Sequence, residues 1–89
     1  MLEFDWDEDN LRHIARHSVT AEEVEYALER PTLDVEFQSD RGEERFKEAG
    51  ATAAGRVLEI ITTWRGSKIR VVTAYDASSY VAEEYHRTR

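Results

Sequence analysis

The sequence predicts an α+β fold, an antiparallel sheet packed against helices, and three observations predict it. Apolar residues recur at helical spacing between Leu11 and Leu28. From Thr32 to Ala74 the pattern changes to four strand-like runs, rich in alternation and β-branched residues. Only short turns of Gly, Ser and Asp separate those runs, and short turns join antiparallel neighbours. The element order reads β-α-α-β-β-β-β-α.

Each element has its own signal. "LEFDW" sets Leu2, Phe4 and Trp6 on one side and Glu3 and Asp5 on the other, a half-buried strand expected at a sheet edge. "DEDNLRHIARH" follows with Leu11, Ile14 and Ala15 at helical spacing. Its acidic start and basic end suit a helix dipole. "TAEE" is a capping box, Thr20 with Glu23, opening a helix whose stripe is Val24, Ala27 and Leu28 and which stops before Pro31. "TLDVEF" alternates Leu33, Val35 and Phe37. "SDRGE" turns at Gly42, and a weaker strand is centred on Phe46. "AAGR" turns again into "VLEIITTW", and "RGSK" into "IRVVTA", whose apolar character predicts a central strand. A last helix is expected from Ala77 to His86, with Asp76 as its N-cap and the helices together on one face of the sheet.

Composition narrows the class. Eighty-nine residues suit a single domain over 1–89, small enough that docking to a partner would steady it. There is no cysteine, so disulfides and thiolate metal sites are excluded. No apolar run approaches the roughly 20 residues of a membrane span. The acidic start "MLEFDWDEDN" lacks the basic and apolar regions of a signal peptide, so the cytoplasm is the expected location and no membrane partner is expected. The net charge of -7 is unevenly spread. Met1 to Gly55 holds 6 Lys/Arg and 15 Asp/Glu, a balance of -9, and Arg56 to Arg89 holds 6 and 4, a balance of +2. A polyanion would need a local basic patch, and the acidic half suits a basic partner.

Few residues carry chemistry on spacing alone. His13 and His17 stand at i, i+4, but no glutamate lies between them as in H-E-x-x-H and no third ligand follows. A packing role is therefore preferred, and no metal or cofactor is expected. No dinucleotide, phosphate-loop or nucleophile-elbow motif is present. The strands offer a different set. Arg45 and Lys47 share a face opposite Phe46, Arg70 alternates away from Ile69 and Val71, and Arg56 and Arg65 flank their strand. Trp64 and Tyr75 end neighbouring strands and are expected close together. Such cations and aromatics can hold phosphates and stack bases.

"FDWDEDNLRHIARHSVTAEEVEYALERP", "GEERF", "GRVLEIITTWRGSKIRVVTAYDAS" and "EEYHR" resemble, in this order, the BrnT family of bacterial type II toxins. The likeness spans nearly the whole chain. It implies a RelE-like fold and an RNA-cleaving toxin that needs no metal and halts translation. It also implies a cognate DNA-binding antitoxin as partner, in a complex that can hold a toxin homodimer. Metal-free cleavage uses the ribose 2'-OH as nucleophile, a base, a cation for the phosphoryl charge and an acid for the leaving oxygen. On that basis Arg45 and Arg70 are phosphate-stabilising candidates and His86 is the acid or base. Tyr75 completes the catalytic set, and Arg56, Trp64, Arg65 and Tyr80 are RNA-binding candidates. The chain departs from the family's pattern after its last strand, where Tyr75 replaces a usual Arg or Lys and the following helix carries Glu83 and Glu84. The alternative is a catalytically inactive module that binds an antitoxin or itself.

Overall fold

Helix α1 (Glu8–Ala15) begins where it does because Asp7 closes its open end. The Asp7 carboxylate accepts from the amides of Asp9 and Asn10, and the Asn10 side chain accepts the Asp7 amide in return. Ser18 then turns the chain at a φ of +57°, and the Val19 amide reaches back to the Ile14 carbonyl. Helix α2 (Ala21–Leu28) opens on the expected box, Thr20 accepting from the Glu23 amide and Glu23 from the Thr20 amide. The computed structural model describes residues 2–89.

Strands β1 (Leu33–Asp40), β2 (Glu43–Ala51), β3 (Val57–Arg65) and β4 (Lys68–Asp76) follow, and α3 (Ser79–Arg87) closes the chain. The strands lie in chain order as an antiparallel meander. Arg41 and Gly42, both at positive φ, make the two-residue turn between β1 and β2. Gly66 at +64° opens the β3–β4 turn. Phe46 pairs with Thr62, so both hairpin turns lie at the same end of the sheet.

Alternation divides the side chains between two faces. Leu58, Ile60, Val71 and Ala74 point to the core face and pack with Ile14, Val19, Val24 and Ala27 of the first two helices and their connection. Gly50 lets α2 approach closely, since a Cβ there would stand 3.2 Å from both Ala27 Cβ and the Ala27 carbonyl oxygen. Glu59 lies between Leu58 and Ile60, so it points to the other face. There its carboxylate accepts the Ser78 amide at 3.0 Å, at the entrance to α3. The helices are therefore not together on one face: α1 and α2 cover the core side and α3 the opposite side.

Three further expectations are corrected. "IRVVTA" is not central but forms β4, the last strand of the sheet. Its apolar residues are explained by the packing of α1 against it, and the Asn10 side chain donates to the Val71 carbonyl. "LEFDW" is extended but contributes one parallel bridge, Phe4 to Ile69, flanked by bonds from Ile69 N to Glu3 O and from Asp5 N to Ile69 O, both 2.8 Å. The cap of α3 is Ser78, whose hydroxyl accepts the Val81 amide, because the sheet holds Asp76 as the last residue of β4.

Candidate functional site

The face of the sheet opposite the core carries the cations. Cross-strand pairing places Glu36, Lys47, Ile61 and Thr73 in one row, and Ala49, Glu59 and Tyr75 in the next. Towards the hairpin turns the same face holds Arg45, Thr63 and Arg70. There a groove of about 160 Å³ runs between Arg45, Arg65 and Arg70 and over the edge of β4 to His13 on α1. Three of the cations expected from the sequence, Arg45, Arg65 and Arg70, thus meet in one groove.

Charge pairing separates these cations. Arg70 is only 15% exposed at its side chain and sits 3.0 Å from Asp7 and 3.6 Å from Asp5. The Asp7 hydrogen bond holds the guanidinium further above its ordinary value, and the same bond pulls the Asp7 carboxyl below its own. Arg56 is engaged still more fully. It donates to Asp76 at 2.6 Å, to Ser18 O at 2.7 Å and to His17 O at 2.9 Å, fastening the α1–α2 turn to the end of β4. Asp76 raises the Arg56 pKa and is itself lowered, chiefly by that bond. Arg45 has one exposed partner, Glu43 at 2.8 Å. Among the described residues Arg65 has no carboxylate within ion-pair distance.

Tyr75 stands at the far end of this face. Trp64 pairs with Ile69, whereas Tyr75 pairs with Glu59, so the two aromatics lie towards opposite ends of the sheet and on opposite faces. Their expected proximity fails because the strands run antiparallel and both end the runs in which they were read. What Tyr75 does meet is Lys47, whose ammonium it holds above the ordinary amine range. The neighbouring Tyr75 phenol is the main cause, and the charges of Glu59 and Glu36 add to it against the cost of burial. Lys47 Nζ is 3.6 Å from Glu36 and 3.7 Å from Glu59. On the other side the His17 ring is tilted against Tyr75 at 5.8 Å, and His13 stacks on His17 at 6.4 Å.

A cation, a phenol and an imidazole therefore converge at Tyr75, and the fold brings them from three elements. Lys47 was legible as a partner of Arg45 on its face but was not chosen. The sequence offers His17 as a packing histidine in preference to a metal ligand, with no sign of Tyr75 as its neighbour. No spacing pairs residues 17, 47 and 75, because their proximity depends on the register of β2, β3 and β4. His86 and Tyr80 lie on α3. Tyr80 is 73% exposed, and the His86 ring meets Tyr85 at 5.5 Å. Among the described residues no hydrogen bond joins His86 to Arg45, Arg70 or Tyr75. Likewise, no three His, Cys, Asp or Glu side chains cluster as metal ligands among them.

A family model described as "Ribonuclease toxin, BrnT, of type II toxin-antitoxin system" matches residues 6–80. The chain belongs to the BrnT family. The match runs from Trp6, which donates to Glu25 at 2.7 Å, through the whole sheet to the first turn of α3. It covers every residue of the Lys47–Tyr75–His17 cluster and of the arginine groove, and leaves His86 beyond its end. Among curated proteins none matches the chain. BrnT toxins are ribonuclease toxins of type II toxin-antitoxin systems, so an antitoxin is implied as partner. Among the described residues no helix is long and apolar enough to cross a membrane.

Proposed function

We propose that this BrnT toxin cleaves RNA without a metal, at the cationic sheet face centred on Tyr75, and so inhibits translation. The observation that carries the reading is the His17 ring 5.8 Å from Tyr75, on a sheet face where Lys47 stands one row away. In the proposed step His17 takes the proton of a ribose 2'-OH. The O2'–P bond forms and the P–O5' bond breaks, leaving a 2',3'-cyclic phosphate and a 5'-hydroxyl. Lys47 stabilises the charge on the non-bridging oxygens, the Tyr75 hydroxyl supplies the proton to the leaving oxygen, and Arg45, two rows away, holds a neighbouring phosphate of the strand. Arg65, exposed at the mouth of the groove, holds an adjoining phosphate. Arg56 and Arg70 serve the fold first, through the ion pairs described above. The topology is read as RelE-like, and the antitoxin as a DNA-binding protein in whose complex the toxin is dimeric.

The test is cleavage of single-stranded RNA by the purified chain in EDTA. Cleavage to cyclic-phosphate ends is expected, slowed by about 10²–10⁴-fold in His17→Gln, the usual worth of a positioned proton carrier. His86→Gln, run beside it, decides which imidazole carries the proton. Cleavage that appears only on adding a divalent cation would remove the metal-free step.

One observation favours a second reading, a catalytically inactive toxin-like module that binds its antitoxin or itself. Arg70 and Arg56 are neutralised by internal carboxylates, and no arginine or lysine stands at position 75. Silence of the parent chain in EDTA and in added metal alike would support it.

A further inference from the structure

The core face of the sheet is left open towards the hairpin turns. Phe37 and Trp64 are 56% and 55% exposed there, and Leu2 is 39% exposed. The Phe37 and Phe46 rings meet at 5.2 Å. Leu2, Leu28, Phe46, Trp64 and Ile69 line a hollow of about 330 Å³. Aromatic side chains left in water around a concavity mark a surface that another molecule covers.

Charge selects the occupant. The polar lining of the hollow includes Asp34 and Glu48, and Glu44 lines the cleft on the other side of Trp64. Among the described residues no lysine or arginine lines either, and Lys47 lines instead a separate depression beside Phe37. The opposite face carries Arg45, Lys47 and Arg70. Alternation along β3 and β2 thus gives the two faces different charge: Trp64 faces carboxylates alone, while Arg65 beside it faces the side where Arg45 and Lys47 stand paired with Glu43, Glu36 and Glu59. RNA is repelled by such a rim. A second copy docked face to face would set carboxylates against carboxylates.

We propose that this hollow captures an apolar segment of the antitoxin flanked by lysine or arginine, with Trp64 on its lining and Phe37, packed against the lining Phe46, as its anchors. The proposal rests on family membership for the existence of an antitoxin, and on this face alone for where and how it binds. It removes Trp64 from the RNA-binding set. It also leaves the cationic face free of this contact, so capture and catalysis use opposite sides of one sheet.

The experiment is isothermal titration of the purified chain with its purified cognate antitoxin, at two salt concentrations. Trp64→Ser and Phe37→Ser each weaken binding by roughly thirtyfold, the loss expected of a central aromatic anchor. Glu44→Lys weakens it further at low salt than at high salt. Thermal melts confirm that each variant is folded, and because the readout is affinity, a chain that cleaves no RNA still decides the proposal. Unchanged affinity in both aromatic variants overturns it. So does a loss of RNA affinity with antitoxin affinity intact, which assigns the face to nucleic acid. A dimer of the free chain that Trp64→Ser turns into a monomer, with antitoxin affinity unchanged, assigns it to self-association and overturns it equally.

Discussion

Arg70 reaches back 63 residues to the carboxylate that caps α1, donating to Asp7 at 3.1 Å with its second terminal nitrogen 3.0 Å from the other Asp7 oxygen. Asp7 therefore does two things: it terminates a helix and it neutralises the most enclosed arginine of the cationic face. Arg70→Ala is expected to lower the melting temperature by several degrees and to release the segment before α1. If the melting temperature holds while RNA cleavage is lost, the guanidinium serves phosphate and not the fold.

The same pair fixes a pH dependence. The folded pKa of Asp7 lies below its ordinary 3.8, so the ionised carboxylate stabilises the fold above that value. The contribution is lost as pH falls through the lowered folded value. Asp76 behaves alike because of Arg56. Asp7→Asn keeps a good cap and removes only the charge. Its melting temperature should lie below the parent's at neutral pH and meet it in strong acid. A constant gap across the acid range would assign the effect to the cap.

Lys47 titrates in the opposite sense. Its folded pKa is raised above 10.5, so the stability it lends is complete below that value and is lost as pH rises through the folded one. Tyr75→Phe removes the main cause of the shift. Direct titration of the Lys47 ammonium by NMR should show its pKa fall in that variant, and no change would separate the two side chains.

Gly50→Ala tests the approach of α2 to β2. The added methyl meets Ala27 Cβ and the Ala27 carbonyl oxygen at 3.2 Å, and Thr32 Cγ2 at 3.3 Å. One of these contacts is backbone and yields poorly. Overpacking of this kind costs about 1–3 kcal/mol. The gain from replacing a strand glycine offsets roughly 0.5–1 kcal/mol of that. A net loss is expected in denaturant titration, and a more stable variant would show that the helix shifts freely.

Ser78→Ala should cost about 1 kcal/mol through the cap of α3. Asp76→Ala should act instead through Arg56, loosening the α1–α2 turn. Hydrogen exchange distinguishes them: faster exchange in α3 for the first, and around His17 and Ser18 for the second. The reverse pattern would restore Asp76 as the cap.

What the sequence determined by itself was local. The Thr20–Glu23 box, the stripes of the first two helices, the turns at Gly42 and Gly66 and the four strands all follow from interactions within a few residues, and alternation sets which strand residues share a face. The family could be named from motif order. Tertiary structure alone decided what depends on register and on distant partners. Antiparallel pairing put Trp64 and Tyr75 at opposite ends of the sheet, and brought Lys47 to Tyr75. The Glu59 carboxylate receives the entrance of α3 on the face that α1 and α2 do not cover. Of the arginines that look alike in the sequence, Arg56 and Arg70 are held by carboxylates far along the chain, and Arg65 is not. Charge pairing over such separations leaves no periodic trace, because a carboxylate at position 7 becomes the partner of position 70 only once the sheet and helix have packed.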